Sequence, residues 1–166
     1  MRAVILSLDT GAYKAKADVA AAASLKRMLE QVGIEVRAAK AFPEDKEMLK
    51  TVLCKLADAG MVELVLTTGA VGFLEKHCAP DAVRETADRL LPGIPEALRA
   101  YNLRHTKKVI LDRSEAGIRK KTLMINLPES AKMAKEDLEY ILPEVVQVVD
   151  TFFIKIKTEG WNNRRD

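Results

Sequence analysis

The chain has 166 residues, 48% of them hydrophobic and 31% charged, with a formal net charge of only +3. That length supports one full hydrophobic core rather than two, and interspersed charges with so small an excess exclude the field that grips a nucleic-acid backbone. Two cysteines, Cys54 and Cys78, in no ligand-like spacing exclude a disulfide framework and a cysteine-based metal centre.

Ala3 to Leu8 is a continuous apolar run ending in Asp9-Thr10-Gly11, the pattern of a buried strand running into a loop. The apolar stretch from Met1 is too short for a signal-peptide core or a membrane span, so a cytoplasmic protein with no membrane partner is expected. Asp18 is placed to cap a helix whose stripe, Val19, Ala22, Leu25, Met28, Leu29 and Val32, stops at Gly33. Ile34 to Ala38 reads as a second strand, and Phe42-Pro43-Glu44-Asp45 leads into a helix carrying Leu49, Val52, Leu53 and Leu56 and ending at Gly60. Leu64 to Thr67 is a third strand, and this alternation argues for a parallel sheet covered on both faces. Beyond the loop from Thr68 to Pro80, helices are expected at Ala82 to Leu91 and Pro95 to Asn102. Short strands are expected at Val109 to Leu111 and Thr122 to Ile125, with a Gly117 turn between them. Ser130 opens a helix to Ile141, and a second amphipathic run covers Glu144 to Ile156. Residues 1–157 form one domain in this reading, and 158–166, with Trp161, Arg164 and Arg165, form a polar tail too sparse to define a contact patch.

In open α/β sheets ligands gather beyond the carboxyl ends of the strands. The informative loops are therefore Asp9-Thr10-Gly11, Pro43-Glu44-Asp45, Thr67 to Gly72, and Asn126 to Lys132. Small residues and hydroxyls in Thr67-Thr68-Gly69-Ala70-Val71-Gly72 allow close approach of a phosphate or a flat heterocycle, and a plain strand-to-loop turn has the same composition. Glu44 and Asp45 suit magnesium held against a nucleotide and equally suit a helix start stabilised by its dipole. His77-Cys78 has too few ligands for a metal site. Arg113 and Lys132 are candidates for an anionic ligand, whereas Arg119, Lys120 and Lys121 read as a solvated turn and His105 as a surface residue.

Taken in order, these loops resemble the molybdopterin-binding domain of the MogA/MoaB-type molybdopterin adenylyltransferases. The landmarks are the Ser7 to Asp9 strand end, Phe42-Pro43-Glu44-Asp45, Leu66-Thr67-Thr68-Gly69 with Gly72, Pro80-Asp81-Ala82, and Leu91-Pro92-Gly93-Ile94. Arg113, Ala116-Gly117-Ile118-Arg119, Thr122-Leu123, Asn126-Leu127-Pro128 and Lys132 continue the series, so the resemblance covers about Ala3 to Leu142. It implies a three-layer α/β/α sandwich with a mostly parallel sheet, a homotrimer, and adenylate transfer from ATP with Mg2+ to molybdopterin as substrate. It further implies ligand-binding roles for Asp9, Thr67, Thr68, Gly69, Ala70, Gly72, Pro80, Asp81, Arg113, Asn126, Pro128 and Lys132. Catalytic roles fall to Glu44, Asp45, Asp112 and His77, with Glu44 on the metal.

The chain departs from that pattern at several of these positions. Gly69-Ala70-Val71-Gly72 stands where the family has Gly-Gly-Thr-Gly, which adds a Cβ and deletes a hydroxyl. His77 takes the place of an aspartate, Ala79 of a threonine, Glu44 of an aspartate, Asp112 of a serine, Thr10 of an arginine and Glu129 of a glycine. Three functions are therefore expected to compete: a working adenylyltransferase, a catalytically impaired protein that binds a pterin or another small ligand, and an oligomeric interaction scaffold.

Overall fold

The computed structural model describes the backbone of residues 1–162 and side chains through residue 153; Arg164, Arg165 and the Trp161 side chain of the tail lie outside that range. Strands β1 (Arg2–Leu8), β2 (Glu35–Phe42), β3 (Leu64–Thr68), β4 (Arg89–Leu90), β5 (Ala116–Arg119) and β6 (Thr122–Leu127) form one sheet in the order β2-β1-β3-β6-β5-β4. The four strands β2, β1, β3 and β6 run parallel, and β5 and β4 add an antiparallel edge. Helices α1 (Thr10–Ala15), α2 (Ala20–Gln31), α3 (Lys46–Asp58), α4 (Ala79–Thr86), α5 (Gly93–Leu103) and α6 (Ala131–Asn162) complete the fold.

Alternate residues of the buried strands feed two cores. Ile5, Leu66 and Ile125 pack with Leu25, Leu29, Leu98, Leu138 and Val145 from α2, α5 and α6. Leu6, Val65 and Met124 pack on the opposite face with Leu49, Leu53 and Val83 from α3 and α4. Parallel strands buried on both faces must be apolar at nearly every position, which is why their runs show no alternation. The layered α/β architecture and the mostly parallel sheet are as expected.

Several local expectations are corrected. Thr10 begins α1 instead of a loop, because the Asp9 carboxylate accepts from Ala12 N at 2.9 Å and caps it. Asp18 does not cap α2; Val19 precedes that helix with no side-chain cap. Lys107–Leu111 forms a 3-10 helix in place of the expected strand, with Thr106 accepting from Lys108 N at 3.2 Å. The helix expected to reach Leu91 ends at Thr86, and Arg89–Leu90 becomes β4. Gly117 lies inside β5, and the hairpin turn is Lys120-Lys121, with Lys120 at φ 51°. One 32-residue helix replaces the expected pair, running through Pro143. Burial of Ile141, Val145 and Val149 on one stripe carries the helix across the missing N–H.

The same stripe of α6 buries Asp137, which is 1% exposed and accepts a hydrogen bond from Asn102 Nδ2 at 2.8 Å. Burial pushes its carboxyl up to about 6; the Asn102 hydrogen bond opposes the shift, and the charges of Asp112 and Glu136 add to it. A carboxyl with a raised folded pKa keeps a proton that the unfolded chain has already lost, so its contribution to stability declines as pH rises from about 4 to about 6.

Two outcomes follow from this packing. Asp137→Asn should raise Tm at neutral pH, by up to the order of 3 kcal/mol of stability, and leave it near the wild-type value at about pH 4; thermal melts at the two pH values check this. At Gly117 an added Cβ would meet Ala87 Cβ at 2.7 Å and the Arg89 carbonyl oxygen at 2.9 Å. Gly117→Ala should cost about 1–3 kcal/mol by overpacking, a fall of several degrees in Tm.

Candidate ligand-binding site

The C-terminal ends of the central strands carry a buried polar row: Ser7, Thr67, Thr68 and Asn126. Register sets it, since Ser7 pairs with Thr68 and Thr67 with Asn126 across neighbouring parallel strands. Thr68 Oγ1 donates to Ser7 Oγ at 2.9 Å. Asn126 Nδ2 donates to Thr67 Oγ1 at 2.8 Å, and Asn126 Oδ1 accepts from Glu115 N at 3.0 Å. With those partners the row is satisfied, as buried polar groups must be.

The loop after β3 turns sharply over this row. Gly69 has φ 79°, and a Cβ there would approach the Leu8 carbonyl oxygen to 3.2 Å. Ala70 is held at φ 55° although it carries a Cβ, a conformation that strains any residue other than glycine. His77 closes the loop: its Nδ1 accepts from Leu74 N at 3.1 Å, and its ring fills the space beside Gly72, where a Cβ would lie 2.6 Å from Nδ1. Glu129, which is exposed, lies beside Gly69.

Beyond the strand ends, between α5, α6 and the 3-10 helix, lies a cavity of about 620 Å³. Of the sequence-predicted residues, Gly72, Asp112, Asn126 and Pro128 line it. Val71, Phe73, Leu98, Val109, Leu111 and Met133 make its apolar wall. Asp112 faces it while engaged on both oxygens: Oδ1 accepts from Ser114 Oγ at 2.7 Å, and Oδ2 from Arg99 Nη1 at 3.1 Å. Lys132 lines an adjoining, smaller cleft of about 280 Å³ with Tyr101 and His105, which shares Asn102, Thr106 and Met133 with the cavity. Tyr101 there stacks on Tyr140 with ring centroids 4.4 Å apart.

The remaining acidic residues gather on another side of the loop. Asp9 N donates to the Phe42 carbonyl and Glu44 N to Thr10 Oγ1 at 2.9 Å, which ties the loops after β1 and β2 together. Asp45 caps α3 by accepting from Met48 N at 3.0 Å. Asp81, in the first turn of α4 beside Pro80, accepts from Arg113 Nη2 at 2.8 Å and pairs with Arg84. Burial alone would raise the Asp81 carboxyl, but Arg113, with Arg84 and Lys46, outweighs it and holds it below the usual range. Burial pushes the Cys78 thiol up, and the charges of Glu44, Asp45 and Asp81 push the same way. That places all three carboxylates within electrostatic reach of the start of α4 and keeps Cys78 a neutral packing residue.

Among the described residues no three His, Cys, Asp or Glu side chains converge into a metal cage. Glu44 makes no side-chain hydrogen bond or ion pair among them, so one free carboxylate is available, as a magnesium ion held chiefly by phosphates requires. No helix among the described residues is long and apolar enough to cross a membrane.

Sequence reasoning missed Arg99, Asn102, Ser114 and Asp137, all of which line the cavity. Asp137 did leave a signal: it interrupts the apolar spacing of Ala134, Leu138 and Ile141 on α6. A carboxylate on a buried stripe calls for a partner.

A family description, "Probable molybdopterin binding domain", matches residues 4–147. The chain is similar to the molybdopterin adenylyltransferase of Helicobacter pylori strain J99, 35% identical over 107 residues, which are 64% of this chain and 61% of that protein. It is similar also to the molybdopterin adenylyltransferase of Escherichia coli strain K12, 39% identical over 98 residues, 59% of this chain and 50% of that one. The chain thus spans between half and about three fifths of the length of these relatives. The crystal structure of the molybdopterin biosynthesis enzyme MoaB from Thermus thermophilus superposes with a TM-score of 0.78 at 34% identity, covering 90% of this chain and 96% of that one. With the domain match running along most of its length and the strand-end loops in the expected order, the chain belongs to the MogA/MoaB family of molybdenum cofactor biosynthesis proteins and carries that family's molybdopterin-binding domain.

Proposed function

We propose that the chain binds molybdopterin in the cavity between α5 and α6, and that its transfer of adenylate from ATP is slow beside that of active relatives. The observation that carries the reading is the cavity itself. Its volume of about 620 Å³ and apolar wall suit a small heterocyclic ligand, and its lining includes Gly72, Asn126 and Pro128, at or just past the carboxyl ends of β3 and β6.

Adenylyl transfer forms a bond from the pterin's terminal phosphate oxygen to the α-phosphorus of ATP and breaks the bond to the leaving pyrophosphate. Catalysis of such a step rests on positioning and on charge stabilisation around the phosphate oxygens. In this reading Glu44, which makes no side-chain hydrogen bond or ion pair among the described residues, would hold magnesium, and that ion with ATP would neutralise phosphate charge. The second carboxylate that the reaction calls for is not available in the same way. His77 occupies that sequence position and is engaged with Leu74 N, and Asp112 is engaged with Arg99 and Ser114. Arg113 is paired with Asp81, and Glu129 adds negative charge beside Gly69. A homotrimer is part of the proposal: exposed Phe73, Leu74, Ile110 and Leu111 give an apolar rim that favours association of copies.

The test is expression in a molybdopterin-producing host, oxidation of the purified protein to fluorescent pterin, and measurement of pyrophosphate release with ATP and magnesium. Pterin is expected at about one per chain, with release about a hundredfold or more below that of an active adenylyltransferase. Equal rates would overturn the impairment, and absence of pterin would overturn the binding and favour an interaction scaffold.

A further inference from the structure

Two carboxylates line the cavity, and they differ in what they leave free. Asp112 has both oxygens engaged, by Ser114 and Arg99. Asp137 has Oδ1 engaged by Asn102, while Oδ2 has no hydrogen-bond partner among the described residues. No unpartnered side-chain oxygen or nitrogen is sealed inside the described structure, so Asp137 Oδ2 opens onto the cavity it lines. The residue as a whole is 1% exposed. Of the Arg99 guanidinium, which also lines the cavity, Nη1 donates to Asp112 Oδ2 and to the Ser114 carbonyl, each at 3.1 Å. Asp137 Oδ2 is therefore the carboxylate oxygen that the cavity leaves open to an incoming donor.

We propose that Asp137 selects the heterocycle, its carboxylate accepting the paired N–H donors of a 2-amino-4-oxo ring edge. This rests on the reading of the cavity as a pterin site. A pterin presents its N3–H and its 2-amino group side by side, the spacing that a carboxylate meets with two parallel hydrogen bonds. A ring with a carbonyl in place of the 2-amino group sets a lone pair against Oδ2 instead. A buried acceptor left unpaired by such a ligand is penalised more heavily than a lost exposed contact. The partner on Oδ1 does not compete, because a carboxylate oxygen accepts more than one hydrogen bond.

The experiment is a fluorescence titration of the full chain in neutral buffer, where the ring N3–H is retained, with two probes, pterin and lumazine, which differ by amino against carbonyl at ring position 2. Wild-type protein is expected to bind pterin at least roughly tenfold more tightly than lumazine. Asp137→Asn turns an acceptor into a donor at the same volume, and should erase or reverse that preference. Equal wild-type affinities, or a preference that survives Asp137→Asn, would overturn the assignment to Asp137 while leaving the cavity as the pterin site. Failure of wild-type protein to bind either probe would remove the pterin reading of the cavity and this assignment with it. The wild-type comparison needs no variant, so a folding defect cannot shelter the proposal.

Discussion

The side chain of Asn126 holds the architecture of the site together. It sits at 1% exposure near the end of β6, donating to Thr67 on β3 and accepting from Glu115 just ahead of β5. Parallel strands have no tight hairpin to fix their ends, and this side-chain crosslink ties β3 to β6 one residue before β3 ends and the Gly69 turn begins. Removing one partner would leave a buried amide or hydroxyl unsatisfied, which costs more than the bond itself contributes. The Gly69-Ala70 reversal, the placement of Gly72 against His77 and the cavity beyond Pro128 all start from this crosslinked row.

Charge is then partitioned around the row. On one side Asp9 and Asp45 cap helices and Asp81 neutralises Arg113, leaving Glu44 as the unengaged carboxylate of that group among the described residues. On the other side an apolar cavity contains Asp112, neutralised by Arg99, and Asp137, whose raised pKa reflects the burial that sets it facing the cavity. The two sides are suited to different chemistry. A metal ion with its phosphate would suit the group of partly exposed acids, and a flat heterocycle would suit the apolar walls. The strained loop from Gly69 to Gly72 stands between them.

The sheet was legible because buried parallel strands write themselves as apolar runs, Ala3 to Leu8 and Leu64 to Thr67, each followed by glycine and polar residues. The edge was not. In β5, Gly117 looks like a turn residue, yet its missing side chain is required by the close approach of Ala87 and Arg89, a contact made only once the chain has folded. Val109 to Leu111 has strand composition, but a cap from Thr106 and the packing of Val109 turn it into a 3-10 helix. The strand-end half of the cavity lining could be read from loop order, since Gly72, Asn126 and Pro128 lie at or just past the carboxyl ends of β3 and β6. The helix-borne half could not, because Arg99, Asn102 and Asp137 lie on two helices far apart in sequence, and their meeting depends on how α5 packs on α6.

Where the pterin lies decides between the two sides of the loop. The most direct measurement is a crystal structure of the protein with molybdopterin bound. Ring density between α5 and α6, beside Asn126 and Pro128 with its amino edge toward Asp137, is the predicted result. Ring density on the Glu44 and Asp81 side of the loop, with the cavity between the helices empty, would contradict it.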